Sequence, residues 1–283
     1  MLELSLIIVA LFVLAVASYV DLRILEVPDW LNYAGISAGI GIHFIYSAQQ
    51  ASWWPIASSL AGFGIGFAIA CFMYYTGQWG GGDAKLLMAL GALIGFDIDK
   101  FGFGASFLIN LVFVGGAWGL AWSAGLAIRN IKKFWKTFKA LRHHKPYARM
   151  RIISLVTAAI LIIASFIMRD YQLELIGLAL LSYLLCYLTI FVKSIELCCM
   201  HKWITPDKLT EGDWLVHAVK VGKMKVLPGK LGLEQKQVNL LKQLYAKKKI
   251  DKLLVKYGIP FAPAFLIAFA VTWYAGNVIL ALF

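Results

Sequence analysis

The chain has 283 residues, of which 61% are hydrophobic and 15% are charged, and its net charge is +12. So few charged residues cannot cover the surface of a soluble domain, and the mean hydropathy of +0.76 agrees with this. The composition therefore predicts an integral membrane protein. The basic residues cluster in loops between apolar runs, which is typical of the cytoplasmic side of a membrane and not of a nucleic-acid surface.

Eight segments approach the roughly 20 mostly apolar residues that a spanning helix needs. They are 2–20, 30–48, 53–76, 84–96, 101–128, 152–168, 173–192 and 260–282. We therefore expect an all-α polytopic membrane protein with about eight transmembrane helices. The first segment lacks a basic stretch before it and a small-residue cleavage site after it, so it is predicted to be a retained helix and not a signal peptide.

Two polar stretches carry the charge. Residues 129–151 hold nine Lys or Arg and no acid, and residues 193–258 hold fourteen Lys or Arg against six acids. Both are predicted to be cytoplasmic. Counting spans back from residue 129 then places 21–29 and 77–83 on the same side, with both termini on the other. The predicted parts are an N-terminal membrane bundle 1–128, a basic loop 129–151, a two-helix hairpin 152–192, a basic region 193–258 and a last helix 259–283.

Three further patterns have structural interpretations. Segment 234–256 is predicted to be a basic amphipathic helix on lipid headgroups, with a role in holding a substrate as the alternative. Gly62, Gly64 and Gly66 favour close helix packing over ligand binding. The four cysteines suggest no metal site: Cys71 and Cys186 lie in apolar segments, and Cys198-Cys199 with His201 lacks zinc-site spacing. No cofactor is predicted.

Two short stretches carry the candidate chemistry. The first runs from Asp21 through Arg23 to Pro28, and the second is Gly80-Gly81-Gly82-Asp83-Ala84-Lys85. Asp21 and Asp83 each stand at the edge of an apolar helix, and the predicted topology puts them on one membrane face. Acids in such places usually mark function. Two facing carboxyl groups at low dielectric cannot both ionise easily, so the pair is expected to retain one proton, as an aspartyl protease requires.

The sequence leaves alternatives open. Asp83 can be a helix N-cap after a tight glycine turn. Both aspartates can instead be ion or proton sites of an ion-coupled membrane transporter, although no internal repeat supports that interpretation. A membrane scaffold is a third possibility, which leaves the two aspartate motifs without a purpose.

The segment Gly80-x-Gly82-Asp83 resembles the GxGD motif of membrane aspartyl proteases. The longer string GGGDAKLLMALGALIG is similar to the second motif of type IV prepilin peptidases, Asp21 to Pro28 resembles their first motif, and 259–265 resembles their last conserved stretch. The resemblance implies that Asp21 and Asp83 are catalytic without a metal. It also implies cleavage of class III leader peptides from flagellin-like or pilin-like precursors. Membrane lipid is a further expected partner, which follows from the apolar composition and the basic segments. Because the bacterial CxxC insert is missing, the chain looks closer to the archaeal preflagellin and prepilin peptidases, and methyl transfer is not predicted.

The neighbours of the aspartates have expected roles as well. Gly80 and Gly82 would let an extended substrate approach Asp83. Lys85 and Arg23 are expected to reach the membrane interface, with tuning of Asp83 as the alternative for Lys85.

Four other residues have expected roles. Glu26 and Asp29 are either solvated acids or contacts for a basic leader. Pro260 and Pro263 are expected to loosen the start of the last helix, an end of the chain that the resemblance places near the active site.

Overall fold

The computed structural model describes residues 4–96, 102–221, 224–229 and 231–278. Ten α-helices within these ranges are α1 Leu4–Ile24, α2 Asp29–Gln49, α3 Trp54–Tyr75, α4 Gly81–Ile94, α5 Phe103–Arg129, α6 Ile131–His143, α7 Lys145–Ile167, α8 Gln172–Cys199, α9 Gln235–Ala246 and α10 Ala262–Ala275. Five short strands are β1 His201–Ile204, β2 Trp214–Leu215, β3 Val219–Val221, β4 Met224–Val226 and β5 Leu253–Lys256. The chain divides into two compact units, 1–121 with 203–283 and 122–202.

The helices confirm an all-α polytopic membrane protein. Among the described residues, α1, α3, α5, α7 and α8 are long and apolar enough to cross a membrane. The other predicted spans coincide with α2, which has 21 residues, and with α4 and α10, which have 14 each. At 1.5 Å per residue, 14 residues extend about 21 Å and fall short of a hydrocarbon core of about 30 Å. Eight crossings therefore remain a prediction.

Helix α4 is short because it is packed inside the first unit. It contacts α3 and α2 along most of its length, and α1 as well. Its leucines at 86, 87, 90 and 93 are all buried, with at most 2% of their surface exposed. A helix covered by protein on every side does not have to match the thickness of the lipid.

Small residues allow the close approach of these helices. A Cβ added at Gly62 of α3 would overlap the Gly91 carbonyl oxygen of α4, and one added at Gly66 would lie 2.9 Å from the Leu87 carbonyl oxygen. Gly64 has no described atom within 4 Å of such a Cβ. The packing role predicted for the glycine run is confirmed for Gly62 and Gly66, whereas Gly64 faces open space.

Residues 203–258 of the first unit form a small α/β lobe. Three strands lie in the order β1-β5-β2, with Leu215 opposite Val255, and β3 and β4 form a separate hairpin. Helix α9 buries Val238, Leu241 and Leu244 against this lobe.

The predicted helix 234–256 is therefore wrong in its second half, because the chain leaves the helix after Ala246 and 253–256 is a strand. The apolar stripe of α9 is covered by protein and not by lipid headgroups. The leucines of α9 would follow the same helical period whether protein or lipid covered them. The pattern alone therefore could not identify the covering surface.

The second unit contains α6, which the sequence analysis did not predict, and the helical hairpin α7–α8. Phe134 of α6 is buried against Ile195 and Phe191 of α8. Cys186 is buried in α8, and the sulfur atoms of Cys198 and Cys199 lie 2.6 Å apart at its end.

Replacing Gly62 by Ala should destabilise the bundle, because the new methyl group meets the backbone of α4, which cannot move aside as a flexible side chain can. A loss of about 1–3 kcal/mol of unfolding free energy is expected. Gly64→Ala is the matched control in the same helix and should be neutral or slightly stabilising. Equilibrium unfolding of the purified chain in mixed micelles measures both, and equal effects of the two substitutions would contradict this packing.

Candidate active site

Asp21 lies in the last turn of α1 with its side chain turned into the protein. Only 4% of its surface is exposed, and it continues the buried face formed by Leu14 and Ala17. The helix ends just beyond it, where the Leu25 N–H donates to the Asp21 carbonyl at 2.9 Å and Leu25 adopts a φ of 59°. A non-glycine residue in this left-handed region is uncommon, so the turn that follows Asp21 is held by its surroundings.

The carboxylate of Asp21 is bound by the first turn of α10. The Ala262 N–H donates to Asp21 Oδ2 at 2.9 Å, and the Phe261 N–H is a second backbone donor. A helix N-terminus offers free N–H groups and a favourable dipole to a negative charge, so it is a good partner for a carboxylate. Residues 259–265 therefore meet Asp21, as the resemblance implied.

Proline does not loosen the start of α10. Pro263 stands in the first turn of the helix, where its missing N–H has no intrahelical partner to lose. The carbonyl oxygen of Pro260 accepts a hydrogen bond from Trp118 Nε1 at 2.8 Å. The expected loosening is thus replaced by a fixed helix start.

Asp83 occupies the first turn of α4, and the N-cap alternative for it is wrong. The N-cap is Gly80, which makes no side-chain hydrogen bond, and the helix begins at Gly81. Asp83 is the third residue of the helix, and its carboxylate interacts with the backbone N–H of Gly80. This is the carboxylate half of a capping box, which leaves the other lone pairs of Asp83 available.

The structure brings the two aspartates together. Their carboxyl groups are near enough to interact electrostatically. The loop that leads to Asp83 also packs on the start of α10, which binds Asp21. In this contact the Trp79 ring lies 5.7 Å from the Phe261 ring and 5.4 Å from the Phe265 ring, measured between centroids. Two carboxyl groups in one poorly solvated site resist double ionisation, so the arrangement suits a shared proton.

Gly82 and Asn32 fix the loop in front of Asp83. A Cβ on Gly82 would lie 3.1 Å from the Val27 nitrogen, so the glycine permits close contact with the α1–α2 loop. Asn32 of α2 is fully buried and donates from Nδ2 to the Gly82 carbonyl oxygen at 3.2 Å. Its Oδ1 has no hydrogen-bond partner among the described residues. No sequence pattern marks Asn32, since an isolated asparagine in an apolar helix carries no motif.

Gly80 borders open space beside Asp83. A Cβ placed on it would meet one described atom within 4 Å, the Asp83 Oδ2 at 3.8 Å. Its φ of −70° and ψ of 162° are accessible to any residue. Backbone geometry therefore does not require glycine at this position, and the space on this side of Asp83 is free.

The remaining predicted residues lie around the pair and not in it. Lys85 Nζ binds Asp29 Oδ1 at 2.7 Å, and its ammonium lies 5.6 Å from the centre of the Tyr33 ring. Arg23 extends over the Tyr19 ring on the exposed side of α1. Pro28 is the N-cap of α2, and its carbonyl oxygen starts that helix.

Glu26 connects the α1–α2 loop to the α/β lobe. Its Oε1 accepts a hydrogen bond from Thr210 Oγ1 at 2.9 Å. Both acids that were considered as contacts for a basic leader thus have partners in the protein. Within the ranges that the structure describes, no three His, Cys, Asp or Glu side chains gather as metal ligands would.

Residues 8–120, which contain both aspartates, match the sequence model of the type IV leader peptidase family. A preflagellin peptidase from Methanococcus voltae is 34% identical over 86 residues, which are 30% of this chain. The aligned part covers 36% of that relative's length. No solved structure matches the chain significantly.

Replacing Asn32 by Leu should loosen the loop before Asp83, because the Gly82 carbonyl loses its buried donor. Hydrogen exchange of the amides in 79–85, followed by mass spectrometry, should become at least fivefold faster. Ser37→Ala, at an exposed position of the same helix, is the control and should leave exchange unchanged. Unaltered protection in Asn32→Leu would show that this hydrogen bond does not hold the loop.

Proposed function

We propose that the chain is an aspartic endopeptidase that removes short basic leader peptides from flagellin-like or pilin-like precursors. The observation that carries the proposal is the approach of Asp21 and Asp83, which lie 62 residues apart in the sequence and are near enough to interact electrostatically, while the start of α10 binds Asp21. The match of residues 8–120 to the leader peptidase family and the similarity to a preflagellin peptidase support the same reaction.

The proposed chemistry uses the pair as one acid and one base. The ionised carboxylate removes a proton from water, and the resulting hydroxide attacks the scissile carbonyl carbon. The protonated carboxyl group polarises the carbonyl oxygen and donates to it as the tetrahedral intermediate forms. Collapse of the intermediate breaks the C–N bond, and a proton passes to the leaving amine. Since the two groups titrate as a unit, neither role is assigned to one residue.

The cut is proposed to lie at the cytoplasmic membrane face. The topology counted from the basic loops puts both aspartates on the side of 129–151 and 193–258. The hydrogen bond between Thr210 of the lobe and Glu26 of the α1–α2 loop supports a common side for the lobe and the aspartates. A precursor with its apolar helix in the membrane and its leader in the cytoplasm then presents the scissile bond at the height of the pair.

Asp21→Asn and Asp83→Asn should each reduce leader cleavage by at least about a thousandfold, since neither variant can provide both the acid and the base. Purified chain is mixed with a candidate precursor, and the product N-terminus is sequenced. Asp251→Asn, at an exposed acid of the lobe, is the control and should cleave normally. Undiminished cleavage by either active-site variant would remove the proposed mechanism.

The Asp21→Asn and Asp83→Asn variants also distinguish a peptidase from an ion-coupled transporter. In proteoliposomes, wild type should show no ion or proton flux that depends on Asp21 or Asp83. A flux that either substitution abolishes, together with absent cleavage, would favour the transporter.

Gly80→Val tests whether the open space beside Asp83 receives the substrate. The backbone angles of Gly80 accept valine, so the thermal stability should stay close to that of wild type, while cleavage falls at least tenfold because the branched side chain fills the approach to Asp83. Gly64→Val, at another open glycine, serves as the control for the added bulk. Full cleavage by Gly80→Val would place the substrate elsewhere.

A further inference from the structure

Helix α6 in the second unit has a cationic face that the leader peptidase reaction does not use. Its lysines at 132, 136 and 139 recur at intervals of four and three residues, which places them on one side of the helix. All three are exposed. The opposite side carries Phe134, which is buried against α8, and Phe138, which packs in the same cluster. The cationic side therefore faces outward from its own unit.

The short connections at both ends of α6 restrict where it can lie. Asn130 alone separates it from α5, and His144 alone separates it from α7. Both neighbours are long and apolar enough to span a membrane. A 13-residue helix joined this tightly to two spans has to stay at the membrane boundary. Trp135 and Ile131 beside the cationic face are about half exposed, and exposed Trp is typical of the headgroup region.

The charge of this region is not balanced by its own acids. Residues 122–169 contain no Asp or Glu, although 129–151 hold nine Lys or Arg. At the end of α8 that lies beside α6, the acid is Glu196, and its carboxylate binds Lys193 Nζ at 2.9 Å. Among the described residues, Lys132, Lys136 and Lys139 form no ion pair. Counterions from outside the chain can therefore balance them, and at the membrane boundary the phosphates of lipids are the nearest supply.

The end of α6 is fixed in place, so the cationic face is a preformed surface. Arg151 of α7 donates from an Nη atom to the Arg142 carbonyl oxygen at 3.2 Å, and its guanidinium lies 6.0 Å from the Tyr187 ring of α8. Together with buried Phe134, these contacts tie α6 to both helices of the hairpin. Binding of headgroups would not have to order the helix first.

We propose that the cationic face of α6, formed by Lys132, Lys136 and Lys139, binds the headgroups of anionic lipids. The surface selects negatively charged phospholipids over zwitterionic ones and holds the second unit at one leaflet. The proposal does not depend on the peptidase reaction, since none of the three lysines belongs to the candidate active site.

Native mass spectrometry of the full chain tests this surface. The protein in detergent is mixed with equal amounts of phosphatidylglycerol and phosphatidylcholine that have the same acyl chains, and retained lipids are counted. Wild type should retain phosphatidylglycerol preferentially. Near an anionic surface each lysine contributes about a fivefold change in affinity, so Lys132→Gln/Lys136→Gln/Lys139→Gln should weaken this retention at least tenfold.

Two controls make the result specific. Lys236→Gln/Lys247→Gln/Lys252→Gln removes the same charge from exposed positions of the lobe and should retain phosphatidylglycerol like wild type. A variant with Lys132, Lys136 and Lys139 replaced by Arg should also retain phosphatidylglycerol like wild type. Equal retention of both lipids by wild type, or an equal loss in the lobe variant, would overturn the proposal. A third outcome would also overturn the proposal: the α6 glutamine variant retains lipid like wild type but no longer binds polyglutamate. That result would identify an acidic polypeptide as the partner.

Discussion

The hydrogen bond from the Ala262 N–H to the Asp21 carboxylate is the interaction on which the candidate site depends. It joins α1 to α10, and 237 residues lie between the end of α1 and the start of α10. A buried carboxylate without donors would be strongly destabilising, and the first turn of α10 provides the donors together with a favourable dipole. Because Trp79 packs on Phe261 and Phe265, the same helix start also fixes the loop that leads to Asp83.

A second constraint is the placement of α4. Its 14 residues lie inside the bundle, and α3 reaches it closely through Gly62 and Gly66. Asp83 lies in the first turn of α4 and Asp21 in the last turn of α1. The approach of these two turns brings Asp83 toward Asp21. Asn32 and Gly82 then hold the glycine loop against the α1–α2 loop. The site therefore arises from helix ends that meet, and each end is fixed by a different kind of contact.

The sequence predicted the membrane class, the positions of the apolar helices and the approach of the two aspartates, because hydropathy and motifs report these directly. It did not predict α6, although Phe134, Phe138 and Leu141 follow a helical period, since the density of basic residues suggested a loop. It extended α9 through 253–256 because leucines among lysines fit a helix and a strand alike. The roles of Asn32 and of the α10 amides depend on contacts between distant segments, which no local pattern records.

The account rests on Asp21 and Asp83 facing each other, and a cross-linking measurement tests this without any substrate. In a chain with its four cysteines replaced by serine, Asp21→Cys/Asp83→Cys is treated with a short bifunctional thiol reagent and then cut at a protease site introduced near Ser52. The account predicts that the two fragments stay joined, whereas in Arg23→Cys/Asp83→Cys they separate because Arg23 lies on the exposed side of α1. Fragments that separate in the first variant and stay joined in the second would contradict it.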